Sequence, residues 1–179
     1  MSKRIMNEVM CLAEDNGVDI YYQDTDSMHL HEAGIETLSN NFKSLYGRDL
    51  IGKNLGQFHS DFDFHNEEGN KRNDIVDIHA SRSLFLGKKC YIDELKGTNK
   101  NTGEIETDYH IRMKGVPNSC ILYTSKKLGY KNVYDMYESL YNGRPIEFDL
   151  TQDGKKANFK FENDYTVHTL SVFKRVIKF

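Results

Sequence analysis

No apolar run in this 179-residue chain approaches the ~18 residues that a membrane-spanning helix needs. Cysteine is scarce. Cys11, Cys90 and Cys120 are odd in number and far apart, the pattern of free thiols in a reducing compartment rather than of a disulfide framework or a zinc site. No G-x-G-x-x-G or P-loop pattern occurs, because the stretch from Gly52 to Gly56 is too short and lacks the Gly-Lys-Ser/Thr ending. No residue stands in a recognisable nucleophile elbow. The opening stretch, MSKRIMNEVMCLAEDNG, is amphipathic and has no signal-peptide apolar core. Internal repeats and low-complexity segments are also lacking.

What is present reads as globular: 38% apolar and 28% charged residues, in a length that allows one domain or two small lobes. The net charge of −3 hides an asymmetry. Residues 1–113 carry 13 Lys+Arg against 20 Asp+Glu, and residues 114–179 carry 11 against 7. An acidic part beside a basic part suits a cation site next to a polyanion-binding surface, although ordinary solvated faces would produce the same imbalance.

The pattern along the chain predicts an α+β fold. Ile5, Met6, Val9, Met10, Leu12 and Ala13 recur at helical spacing until Asn16-Gly17. VDIYY and SMHLH read as two strands joined across QDTD, and Ile35, Leu38, Phe42 and Leu45 mark a second helix ending at Gly47. Residues 55–95 look strand-rich, and KGTNKNTGE reads as a turn or exposed loop punctuated by Gly97 and Gly103. ETDYHIRMKGV is another strand, two short helices are expected near 117–128 and 132–141, and the tail is β-prone.

The charged tip of the first hairpin carries the chemistry. Asp24 and Asp26 alternate, so a strand continuing through the tip would turn both carboxylates to one side. Carboxylate oxygens held together in that way are the hard ligands that Mg²⁺ prefers. A plain acidic turn, with Asp24 capping the backbone and Asp26 solvated, is the ordinary alternative. A calcium loop is excluded at Met28, where its D-x-[DN]-x-[DN]-G framework fails. His29 and His31 alternate on the next strand without a third converging ligand, which favours structural roles.

Tyr22-Gln23-Asp24-Thr25-Asp26-Ser27 resembles motif C of family B DNA polymerases, the Y-x-D-T-D-S hairpin of the palm, flanks included. The resemblance implies that Asp26 bridges two catalytic Mg²⁺ ions, that Asp24 lies beside them, that Thr25 and Ser27 support the turn, and that Tyr22 packs behind it. Downstream, Lys89-Cys90-Tyr91 resembles the K-x-Y motif of the same enzymes. It implies that Lys89 and Tyr91 hold the primer terminus. On a strand, residues i and i+2 would share a face, offering a point charge for phosphate beside an aromatic hydroxyl. GKNLGQFHSDFDF and the closing LSVFKRVIKF are similar to segments of the protein-primed branch, with Asp61 or Asp63 in place of a usual glutamate. Residues 1–113 would then be the C-terminal part of the palm and 114–179 the thumb. Lys114 and the Lys126-Lys127 pair are candidate phosphate contacts.

The same resemblance marks what the chain does not contain. The D-x-x-S-L-Y-P-type motif with the family's other metal-binding aspartate is absent, as are the fingers motif K-x-x-x-N-S-x-Y-G and the exonuclease motifs. The reading is therefore a polymerase segment, inactive alone. Its partners would be primer-template DNA, a dNTP, the remainder of the polymerase and a terminal protein primer; no membrane is involved. The rival reading is a non-catalytic DNA-binding module derived from a palm and thumb.

Overall fold

The structure, a computed structural model, describes residues 2–66, 68–151, 156–161 and 167–179. Glu67, Glu162, Tyr165 and Thr166, which belong to stretches discussed above, lie outside the described residues. The described residues form four helices and nine strands with all strand pairing antiparallel, an α+β fold. They include no helix long and apolar enough to cross a membrane. The chain divides into two compact units, Met1–Asp61 and Phe62–Phe179.

In the first unit, α1 (Ser2–Asp15) leads into a hairpin of β1 (Ile20–Gln23) and β2 (Met28–Leu30), followed by α2 (Glu32–Tyr46). The 3.6-residue periodicity of α1 turns Ile5, Val9, Leu12 and Ala13 onto Leu38, Phe42 and Leu50. Both ends of α2 are closed locally: the His31 side chain accepts from the Ala33 N–H, and Gly47, at φ 66°, donates its N–H to the Lys43 carbonyl. Two of the four apolar residues that mark this helix in the sequence, Ile35 and Leu45, lie on its exposed face. Glu8 ties the unit together by accepting from Arg4 and from Arg48, each at 2.8 Å.

The second unit is built on a sheet of β3 (Ile75–Gly87), β4 (Cys90–Asn99) and β5 (Ile105–Met113), in the order β3-β4-β5. After it come α3 (Asn118–Lys127), α4 (Val133–Tyr141), β6 (Ile146–Asp149), β7 (Lys156–Phe161), β8 (Val167–Val172) and β9 (Lys174–Ile177). β6 pairs with β9 and β7 with β8. One face of β4 and β5 (Cys90, Ile92, Ile111, Met113) shares a core with Cys120, Ile121, Met136, Tyr137, Leu140 and Phe148. On another part of the sheet Leu95 and Ile75 bury Phe64. Cys90 and Cys120 are thus core residues, whereas Cys11 is exposed on α1. Residue 114 lies in the turn between β5 and α3, within this unit.

Two stretches differ from the sequence expectation. Among the described residues of 55–74 there is no strand, only isolated bridges (Ile51 to Phe58, His65 to Lys71). Their alternating aromatics serve as individual plugs, Phe64 being 2% exposed. Residues 96–99, expected in a turn, continue β4, and the turn starts only at Lys100. Gly97 is buried there, and the position excludes a side chain because a Cβ would collide with Ile75 and press on the Val76 carbonyl.

An ion-pair cluster fixes the segment before β3. The Arg72 guanidinium donates to both oxygens of Asp74 and to Glu106, and Asn99 donates to Glu106 at 2.6 Å. Arg72, as a hydrogen-bond donor, holds the Asp74 and Glu106 carboxyls below their ordinary values of 3.8 and 4.5. With lowered folded values, the stabilisation is full above the ordinary carboxylate range and is lost as pH falls through the lowered ones. Arg72→Met should therefore lower stability at pH 7, where both carboxylates are charged and paired. Below pH ~5 its stability should vary less with pH than that of the parent chain, as read by urea unfolding at a series of pH values.

Candidate functional site

The acidic hairpin forms as the sequence predicts, with a tip of its own geometry. β1 ends at Gln23 and β2 begins at Met28. The Asp24 N–H donates to the Ser27 carbonyl at 3.0 Å. Asp24 Oδ1 accepts from the Thr25 N–H at 2.8 Å and from its hydroxyl at 3.3 Å. Strand alternation therefore stops before the first aspartate, and the condition under which it would turn both carboxylates to one side is not met. Asp24 is half-buried and partly spent on the turn, whereas Asp26 is exposed and accepts no hydrogen bond among the described residues. Behind the tip, the Tyr22 ring meets the His29 ring edge-on at 5.5 Å. His31 is occupied as the α2 cap.

The donor set fits a hard cation, with one engaged and one unengaged carboxylate at an exposed turn. Among the described residues, neither Asp24 nor Asp26 belongs to a group of three metal-capable side chains. Two carboxylates without a third would hold such an ion only loosely.

The K-x-Y residues lie in the second unit, in a different arrangement from the one expected. Lys89 is in the tight β3–β4 turn, at φ 58°, rather than on the strand. Lys88 and Lys89 fill the space between Gly87 and Cys90, which pair across the hairpin. Tyr91 is on β4 and only 7% exposed. Its ring lies 6.0 Å from Phe85 and 5.7 Å from His110. The turn breaks the shared face that a continuous strand would give the two residues: Lys89 is out at the bend and Tyr91 anchors the strand below it. Lys114 is exposed on the neighbouring turn, where its N–H donates to the Lys89 carbonyl at 2.9 Å. The turns carrying Lys89 and Lys114 are thereby locked to each other. Lys127, a second candidate phosphate contact, is already paired with Asp149 at 3.0 Å and lies over the Tyr123 ring.

Sequence reasoning passed over a buried polar group on the same sheet. Asp93, fully buried, accepts from the Ser83 hydroxyl at 2.6 Å and faces His110 Nδ1 at 3.0 Å. The available signal was Asp93 standing between apolar Ile92 and Leu95, where β4 is buried on both faces. The order Ser83–Asp93–His110 is not a nucleophilic triad, because the hydroxyl is bonded to the carboxylate and not to the imidazole. A cleft of about 390 Å³ near the end of α3 is lined by Lys127, Arg144, Glu147, Asp149 and Lys174. Its charges are mostly compensated: Lys174 pairs with Glu147 at 2.7 Å, and Asp149, held by Thr151 and Lys127, is lowered to about 2.

No protein-family model, curated protein or solved structure matches this chain. The geometry of the hairpin gives its own test. Asp26→Asn removes no contact among the described residues and should change stability by no more than about 0.5 kcal/mol. Asp24→Ala deletes both bonds to Thr25 and should speed amide exchange at Thr25, measured by NMR hydrogen exchange.

Proposed function

We propose that this chain is the motif-C palm and thumb segment of a family B DNA polymerase. In the complete enzyme the reaction is template-dependent nucleotidyl transfer to a primer 3′-hydroxyl. The observation that carries the reading is the hairpin. A helix, a strand, a D-T-D-S tip with Thr25 and Asp26 exposed, and a second strand follow one another in the order that the motif requires, and Asp26 is left unengaged at the tip. Asp26 is the carboxylate available to a metal. Asp24 shapes the turn and lends its charge to the same spot.

Mg²⁺, when bound, supplies the charge stabilisation and hydroxyl activation of two-metal phosphoryl transfer. This chain's part is to offer one side of the carboxylate set and to grip the primer. Lys89, at the bend, presents its ammonium to a phosphate, and Lys114, one turn away, does the same. Tyr91 acts from below as a positioning residue, holding the strand that carries the bend. The remainder of the polymerase, including the other aspartate and the dNTP-gripping fingers, must come from elsewhere, so the chain alone does not synthesise DNA. A terminal protein primer belongs to the same reading through the protein-primed likeness of LSVFKRVIKF.

The metal role is tested with Mn²⁺ as a paramagnetic probe. Sub-stoichiometric Mn²⁺ should broaden the amide signals of Thr25 to Ser27 in the parent chain, and Asp26→Asn should remove that broadening. An unbroadened tip in the parent chain would overturn Asp26 as a metal ligand. Template-dependent extension of a primer by the isolated chain would overturn its reading as an incomplete catalytic unit.

A further inference from the structure

Three separate segments of the second unit meet at the β3–β4 turn, and all bring cations. The β3–β4 turn carries Lys88 and Lys89, and the β5–α3 turn, bonded to it through Lys114 N–H to Lys89 carbonyl, carries Lys114. Gly115 sits at φ 80° in that second turn, which is closed by the Val116 N–H on the Met113 carbonyl at 3.1 Å. A Cβ at position 115 would collide with Arg175 Nη1, so the guanidinium from β9 occupies the space that the glycine leaves open. Arg175 is paired opposite the fully buried Phe148. Its exposed side chain ends with the guanidinium over Gly115. Beyond it, the Phe179 ring lies 3.6 Å from where a Cβ on Gly87 would stand, which brings neighbouring Lys178 to the same end of the sheet.

Lys88, Lys114, Arg175 and Lys178 are all exposed, and none forms an ion pair or side-chain hydrogen bond among the described residues. Lys127 and Lys174, elsewhere in this unit, each have a carboxylate partner. Cations gathered from three segments without a counter-charge repel one another unless an anion joins them. Their spread over two turns and a strand suits a polyanion, since duplex DNA carries one charge per ~1.7 Å of axis. An anionic membrane surface fits less well, because a basic membrane site adjoins a broad apolar face and the exposed apolar side chains of this last strand and its flanks, Phe173, Val176 and Phe179, are interrupted by Lys174, Arg175 and Lys178.

We infer that Arg175 is a phosphate ligand for the backbone of duplex DNA, seated over Gly115 and completing one cationic site with Lys88 and Lys114. The inference rests on the proposed polymerase reading and extends its grip to the last strand of the chain, where the guanidinium fork takes two oxygens of one phosphate.

The experiment is fluorescence anisotropy of the full chain with a labelled primer-template duplex from 50 to 200 mM salt, alongside co-sedimentation with phosphatidylserine vesicles. Arg175→Gln keeps the stem and drops the charge. It should weaken duplex binding about three- to tenfold and lower the slope of log K against log salt by about 0.9. Asp77→Asn, on a distant part of β3, controls for general charge effects and should leave the slope unchanged. If the parent chain binds duplex and Arg175→Gln binds with the same affinity and slope, the Arg175 assignment falls while the polymerase reading stands. If the parent chain binds no duplex, both fall. Binding to vesicles with no binding to duplex would replace DNA by a lipid surface and overturn the inference.

Discussion

β4 is hydrogen-bonded along both edges, to β3 and to β5, and its odd and even side chains are both taken out of water. A strand in that position tolerates no unsatisfied polar atom and no spare volume. Each unusual feature of the second unit follows from this. Asp93 must be met by Ser83 and His110, Gly97 must lack a side chain so that Ile75 can close over it, and Tyr91 is drawn into the sheet instead of standing on its surface. The bend before β4 inherits the constraint. The ladder fixes Gly87 opposite Cys90, so the two lysines between them must complete the reversal, and Lys89 takes a left-handed backbone that usually costs a side-chain-bearing residue roughly 1–2 kcal/mol.

The acidic hairpin is under the opposite regime. Its ladder is confined to β1 and β2, a register of three pairs with an irregularity between Ile20 and Tyr22, while Ile20, Met28 and Leu30 pack on the core of the first unit. The tip is stabilised from within, by Asp24 on Thr25 and on the Ser27 carbonyl. The two aspartates divide the work that identical side chains could share: one is committed to conformation, and the other is left to whatever arrives from solvent. The second unit shows the same division among its cations. Lys127 and Lys174 are committed to Asp149 and Glu147, while Lys114 and Arg175 are not.

Local signals were legible wherever the chain's own neighbours decide the structure. The hairpin tip, the α2 terminus at Gly47 and the two helices after Pro117 stand within a residue or two of where periodicity and turn residues put them. Residues 55–74 were not legible, because an alternating apolar pattern reports burial and says nothing about whether a partner strand exists to pair with. Gly97 misled for a related reason: glycine marks a turn and a close approach of another chain segment equally well, and only the position of Ile75 separates the two. At the candidate site, Asp24, Asp26, Lys89, Tyr91 and Lys114 were singled out by the motif resemblance and the basic C-terminal part, and neither carries the orientation of a side chain. The strand assumption placed Lys89 and Tyr91 on one face, and a two-residue turn separates them. Asp93 had a local signal in its apolar neighbours, but its pairing with His110 and the placement of Arg175 over Gly115 depend on contacts between distant segments, which that signal does not reach.

The distribution of the three thiols has a practical outcome. Burial pushes the Cys90 thiol up to about 11, Cys120 is fully enclosed, and Cys11 alone faces solvent on α1. A maleimide dye or spin label added to the unmodified chain will attach at one place, one helix ahead of the acidic hairpin. The molecule thus carries its own reporter position for distance measurements, with no engineered cysteine and none of its core disturbed.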